Sequence, residues 1–172
     1  GAKPERTIKF ILFAGEEFGL LGSYAWVKEH EDLLPKISNM FNRDGGPMPY
    51  VSFSVPKSLV KEYEKVADDV REIYPDYDFK INTIEPREKP KQAGGTDATV
   101  FMTKGIPAQQ MNEHTDPKGY GFSYMEIWHT ERDTYNKSIP EYQEQAATCT
   151  AVVLYGLANL DHLLSREGLY KE

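Results

Sequence analysis

The stretch Phe10-Ile11-Leu12-Phe13-Ala14-Gly15-Glu16-Glu17-Phe18-Gly19-Leu20-Leu21-Gly22-Ser23 decides how this chain is read. Four consecutive apolar residues suit a strand buried on both faces. The run stops at a glycine and two adjacent carboxylates, and a small-residue, helix-compatible stretch follows. The pattern is strand, tight turn and helix, with acids at the C-terminal end of the strand. In open α/β sheets that edge collects ligands and catalytic groups. Two neighbouring carboxylates there can divide labour, one binding a cation and the other moving a proton. The same residues also suit a solvated acidic helix start. The local sequence leaves both readings open.

Outward from this stretch, elements alternate. Leu20, Tyr24 and Val27 recur at helical spacing, so residues 18–31 read as a helix. Beyond Pro35, residues 37–41 read as a strand that stops at Asn42-Arg43-Asp44-Gly45-Gly46-Pro47, again with an acid at its end. Residues 50–55 alternate weakly as a strand. Residues 57–74 give the clearest helix, with Leu59, Tyr63, Val66, Val70 and Ile73 on one face. Residues 78–85 predict a short strand and residues up to 91 a basic loop. Gly94-Gly95-Thr96-Asp97-Ala98-Thr99-Val100-Phe101 predicts a glycine turn opening a short helix, with a strand near Met111. A long polar, aromatic-rich loop over 113–136 contains Trp128-His129-Thr130-Glu131-Arg132-Asp133-Thr134. Ser138-Ile139-Pro140-Glu141 has a capping-box pattern with an early proline. It opens a last helix expected to run to about Ser165 and to be largely buried over 151–160. The class is therefore α/β with a mostly parallel or mixed sheet.

Composition limits the function. The 172 residues make one domain, and a hydrophobic content of 40% excludes disorder. A net charge of −7 gives no support for nucleic-acid or anionic-membrane binding. No apolar run reaches the ~20 residues that span a bilayer. The single cysteine, Cys149, excludes an internal disulfide and lies on an apolar helix stretch, as a buried structural thiol. No nucleophile elbow and no phosphate-cradling glycine loop occurs. Residues 7–13 predict a first strand with neighbours on each side, which reads as part of a longer protein. No initiator Met or signal peptide is present, and Gly1 reads as a residue left by tag removal.

Acids and a histidine that fall in turns after predicted strands make the candidate site: Glu16, Glu17, Asp44, Asp97 and His129. A zinc site draws carboxylate and imidazole ligands from several loops and leaves a position open for water. His30 and His162 lie near helix ends, where dipole compensation or solvation is the expected role. His114 lies in a polar loop, with surface placement expected.

Taken together, the motifs resemble a known family. Gly15 to Ser23, Asn42-Arg43-Asp44-Gly45-Gly46 and Trp128 to Thr134 resemble, in order, the signatures of the co-catalytic two-zinc exopeptidases, an α/β sandwich family. Gly95 to Phe101 with Gly105-Ile106-Pro107-Ala108 is most similar to its plasma glutamate carboxypeptidase (carboxypeptidase Q-like) branch. The resemblance implies a three-layer sandwich and hydrolysis of an N-terminal or dipeptide amide bond. It implies Glu16 as the general base, Glu17 and His129 as ligands of one zinc and Asp44 as a ligand of the other. Thr96 and Asp97 would lie in the substrate pocket wall. It also implies a peptide or dipeptide substrate, with no nucleic-acid or membrane partner. A secreted or periplasmic location is typical of the family, and an unpaired strand edge favours self-association.

One departure from the family matters. Its members carry a histidine ligand and a metal-bridging aspartate upstream of the Glu-Glu pair. Before Glu16 this chain has neither His nor Asp, and Glu5 is its only acid there. The expectation is a C-terminal part of the catalytic domain with three of five ligands, inactive alone. Two other readings share the fold: a single-zinc glutaminyl cyclase, and a non-catalytic binding or dimerisation domain of the transferrin-receptor type.

Overall fold

The computed structural model describes residues 1–109, 111–112 and 116–171, with side chains omitted for 109, 111 and 112. His114 lies outside the described residues. The elements are α1 (Leu21–Glu29), β1 (Met40–Phe41), β2 (Ser52–Pro56), α2 (Val60–Ile73), β3 (Lys80–Ile84), α3 (Ala98–Thr103), β4 (Ala108–Gln109), β5 (Met111–Asn112), α4 (Tyr124–Ile127) and α5 (Pro140–Ala158). β1 and β4 pair in parallel, Met40 opposite Ala108. β2 lies between β3, parallel, and β5, antiparallel. This is the α/β class with a mixed sheet that the sequence implies. Among the described residues no helix is long and apolar enough to cross a membrane.

Two clusters carry most of the core. The larger packs α2 and α5 on β2: Phe53, Val55, Tyr63, Val66, Val70, Cys149, Val153 and Leu157 are all buried. Phe53 stands at its centre, edge-on to Tyr63 at 5.0 Å, Phe79 at 5.8 Å and Phe41 at 5.9 Å. Gly156 lets the two helices approach, because a Cβ there would sit 2.5 Å from Val66 Cγ1. Burial pushes the Cys149 thiol up to about 12, as befits an inert core thiol. The second cluster joins Leu20 and Val27 to Val100, Phe101 and Ile106, so α1 and α3 pack together beneath the acidic turns.

Gln145 links the larger core to the loop that carries Asp44. Its side chain is almost fully buried. Its amide oxygen accepts from Tyr50 N at 2.9 Å, and its amide nitrogen donates to Tyr50 O at 2.7 Å. One side chain thus completes the backbone pairing that a neighbouring strand would supply, where either group left alone would cost roughly 1–3 kcal/mol.

Several boundaries differ from expectation. Residues 7–13 form no strand: Phe10 is 86% exposed and Leu12 fully exposed. Apolar content alone does not make a strand without backbone partners, and no described strand pairs with this segment. The residue just before it is tied instead to the end of α5, where Arg6 N donates to Ala158 O at 3.1 Å. The helix expected over 18–31 is shorter, at Leu21–Glu29, because positive φ at Gly19 and Leu20 delays its start. The strand expected over 37–41 keeps only Met40–Phe41. α5 ends at Ala158 rather than Ser165: Asn159 closes it, Nδ2 donating to Tyr155 O at 2.7 Å. Only one face of 151–160 is buried, with Ala151 and Tyr155 exposed. The capping box does not form, since Ile139 takes the N-cap and Glu141 accepts instead from Tyr77 and Tyr120 hydroxyls.

Candidate active site

The Glu16-Glu17 turn is built by glycine and backbone hydrogen bonds. Gly15 has φ +71° and Gly19 φ +103°, conformations that cost a residue with a Cβ. The turn closes through Gly19 N and Leu20 N onto Glu16 O, at 3.0 and 2.9 Å, and through Gly22 N onto Ala14 O at 2.9 Å. A Cβ on Gly22 would lie 2.7 Å from Ala14 O and 2.8 Å from Ala14 N. The second half of the motif therefore packs directly on the Ala14 backbone just ahead of Glu16.

The Asp44 loop is held by the preceding residue. Arg43 lies over the Tyr50 ring at 4.8 Å and donates to Gly46 O at 3.2 Å and to Gln143 at 3.4 Å. Asp97, at the start of α3, is only 7% exposed, and its Oδ1 is buried without a hydrogen-bond partner. The adjacent Thr96 carbonyl accepts from Thr99 N and Oγ1 and so shapes the turn. His129 follows α4 with φ +53°, and its Nε2 is 3.0 Å from Glu17 Oε1.

Glu16, Glu17, Asp44, Thr96 and His129 line one open cleft of about 1090 Å³; Asp97 is buried and is not among the lining residues. The acids feel one another. The Glu16 carboxyl is raised above its ordinary range by burial, then by the charges of Asp44, Glu17 and Asp97, with His129 offsetting part of the effect. Burial, Asp97 and Glu17 raise Asp44 likewise. Among the described residues no three His, Cys, Asp or Glu side chains are grouped to hold a metal ion. Glu17 and His129 meet as a pair, while Asp44 and Asp97 enter the site through charge.

The sequence reading did not single out Arg43, Tyr124, Tyr135, Lys137 or Gln143, which also line the cleft. For Arg43 a signal existed, its place inside the Asn42–Pro47 turn. For Lys137 and Gln143 none did, because only the fold brings the start of α5 there.

The raised carboxyls have a consequence for stability. A folded-state pKa above the unfolded value means that the folded protein binds protons more tightly. Its stability then rises as pH falls through the raised values, and the charged cluster is a cost above them. Glu16→Gln combined with Asp44→Asn is therefore expected to raise the thermal midpoint at pH 7. The gain should fall away as pH drops through the carboxylate range and vanish below about pH 3, where both carboxyls are protonated in either state. Thermal scans across pH check this, and a double variant less stable than the parent at pH 7 contradicts it.

The comparisons with known proteins agree with one another. A family model described as Peptidase family M28 matches residues 1–154. Carboxypeptidase Q of Mus musculus is 24% identical over 169 residues, and that of Bos taurus 25% identical over 166, each covering 96% of this chain and 32% of the relative. Carboxypeptidase Q of Homo sapiens is 21% identical over 166 residues with the same coverage. Among solved structures, a Peptidase M28 precursor from Shewanella amazonensis SB2B matches with a TM-score of 0.70 and 26% identity. It covers 95% of this chain and 34% of that one. The chain thus spans about a third of the length of the relatives it matches.

Proposed function

The chain belongs to peptidase family M28, and on that premise we propose that it is the C-terminal part of a zinc-dependent exopeptidase catalytic domain of the carboxypeptidase Q type. The observation that carries this reading is the convergence of Glu16, Glu17, Asp44 and His129, from three separate loops, on one cleft. A non-catalytic domain has no chemical need for that set.

The donors fit zinc in kind. Carboxylate and imidazole are ordinary zinc ligands. The mutual repulsion of Glu16, Asp44 and Asp97 is the field that a bound cation relieves. The unpartnered Asp97 Oδ1 points to the same unmet need for positive charge or a donor. In number the set is short of two complete sites, and Glu17 with His129 would hold one ion and Asp44 a second. When bound, zinc would supply Lewis-acid polarisation of the scissile carbonyl and a lowered pKa for the attacking water.

Glu16 is the proton carrier in this account. Its raised pKa brings it closer to the operating pH, where a general base both accepts and returns a proton well. It takes the proton of the attacking water and delivers it to the leaving amine as the amide bond breaks. Glu17, locked to His129, is not available for that task. Thr96, which lines the cleft, would form part of the substrate pocket wall, with the buried Asp97 beside it in the chain.

The incomplete ligand set has a direct test. These 172 residues alone are expected to bind zinc weakly and to show negligible peptidase activity, because three ligands are shared between two ions. Isothermal calorimetry with zinc measures this. Tight, stoichiometric binding by the isolated chain would overturn the assignment of ligands.

A further inference from the structure

We infer that Tyr124 and Trp128 form a positioning stack that fixes His129 against Glu17 and ties that pair, through Gly46, to the loop bearing Asp44. His129 sits at φ +53°, a conformation that a residue with a Cβ holds only when its surroundings impose it. Hydrogen bonds on either side supply part of the constraint. Trp128 N donates to Tyr124 O at 2.9 Å, and Thr130 N donates to Ile127 O at 3.0 Å. Ile127, 4% exposed, anchors α4 in the protein beneath.

The rings supply the rest. The Trp128 indole stacks on the His129 imidazole at 4.5 Å between centroids and 25° between planes. Tyr124 stacks behind Trp128 at 6.5 Å and 26°. The far end of the imidazole meets Glu17 Oε1 at 3.0 Å. Tyr124 is itself seated on the Asp44 loop, since a Cβ added to Gly46 would come within 3.1 Å of Tyr124 Cδ2. A continuous run of contacts therefore joins Gly46, Tyr124, Trp128, His129 and Glu17. It connects the two loops whose carboxylates must act together, and a side chain at Gly46 would crowd the Tyr124 ring.

Trp128 and Tyr124 are positioning residues, acting through His129. Trp128 is 47% exposed, so its indole contributes little to the core, and its removal is expected to leave the thermal midpoint in place. The consequence for zinc rests on the proposed function; the geometry of the stack does not.

Proton NMR of the His129 ring, assigned with His129→Gln, tests the stack in this chain. Trp128→Ala should move the imidazole resonances downfield as the shielding of the indole face is lost, and Trp128→Phe should retain most of that shielding. Gly46→Ala should move the same resonances, although its new methyl group reaches only the rings of Tyr124, at 3.1 Å, and Phe122, at 3.7 Å, and not His129 itself. In the full-length protein, Trp128→Ala should weaken zinc binding by about 10–100-fold, as for other changes that disorient a metal-ligating histidine. Trp128→Phe should recover most of that loss. Imidazole resonances unmoved by Trp128→Ala or by Gly46→Ala would overturn the proposal, as would moved resonances with unchanged zinc affinity in the Trp128→Ala protein when His129→Gln does weaken zinc binding. If His129→Gln itself leaves zinc affinity unchanged while the resonances respond as expected, the stack stands as the device that fixes His129. The ligand role proposed for that residue then falls.

Discussion

Glu16→Gln in the full-length protein is expected to lower kcat by about 10²–10⁴-fold, the usual worth of a positioned general base, while zinc content stays near that of the parent. The amide keeps the shape of the carboxylate and loses only its basicity. The turn around it should survive, because its hydrogen bonds use the backbone of residues 14–22 and not the Glu16 side chain. Kinetics with an unmodified dipeptide and metal analysis of the purified variant check both halves of the prediction. Loss of zinc with Glu16→Gln, and its retention with Glu17→Gln, would show that the two acids have each other's roles. An N-terminal glutaminyl peptide run beside the dipeptide separates hydrolysis from cyclisation.

The second large effect lies in the core. Phe53→Ala is expected to cost about 3–5 kcal/mol of folding stability, as for other buried phenylalanines truncated in place. Phe53 is fully buried on the central strand of its sheet and meets Phe41, Tyr63 and Phe79 edge-on, so no flexible neighbour stands ready to refill the space. Against the roughly 5–15 kcal/mol that holds a typical domain together, the loss is severe. For a chain of this size it corresponds to a fall of roughly 6–20 °C in the thermal midpoint. Urea unfolding followed by circular dichroism measures it, and a loss below about 1 kcal/mol would mean that the aromatic cluster is not the structural centre.

Much of this organisation is legible in the sequence, for reasons particular residues make plain. The spacing of Tyr63, Val66 and Val70 marks the buried face of α2, and all three are buried. Ile73, at the end of the same stripe, is half exposed because the helix stops there. The Gly15 to Ser23 motif announces its turn through glycines that the backbone needs at positive φ. Residues 7–13 mislead for the opposite reason. Their apolar side chains state a preference for burial, but a strand is made by its partners, and pairing is a property of the whole sheet.

The site divides along the same line. Motif order picks out Glu16, Glu17, Asp44 and His129 as residues of interest, the two glutamates in one turn and Asp44 and His129 each in another. No local pattern reveals that His129 takes a left-handed backbone to reach Glu17, or that Gly46 lies against the Tyr124 ring. The burial of Asp97 Oδ1 without a partner is likewise a product of packing, not of spacing.

Anomalous scattering at the zinc edge, from crystals of the full-length protein grown with zinc, tests the central claim most directly. One zinc peak is expected within ligand distance of Glu17 and His129 and a second at Asp44, with a Glu16 carboxylate that coordinates neither. A peak ligated by Glu16 with Glu17 standing free, or zinc bound away from all four residues, would contradict it.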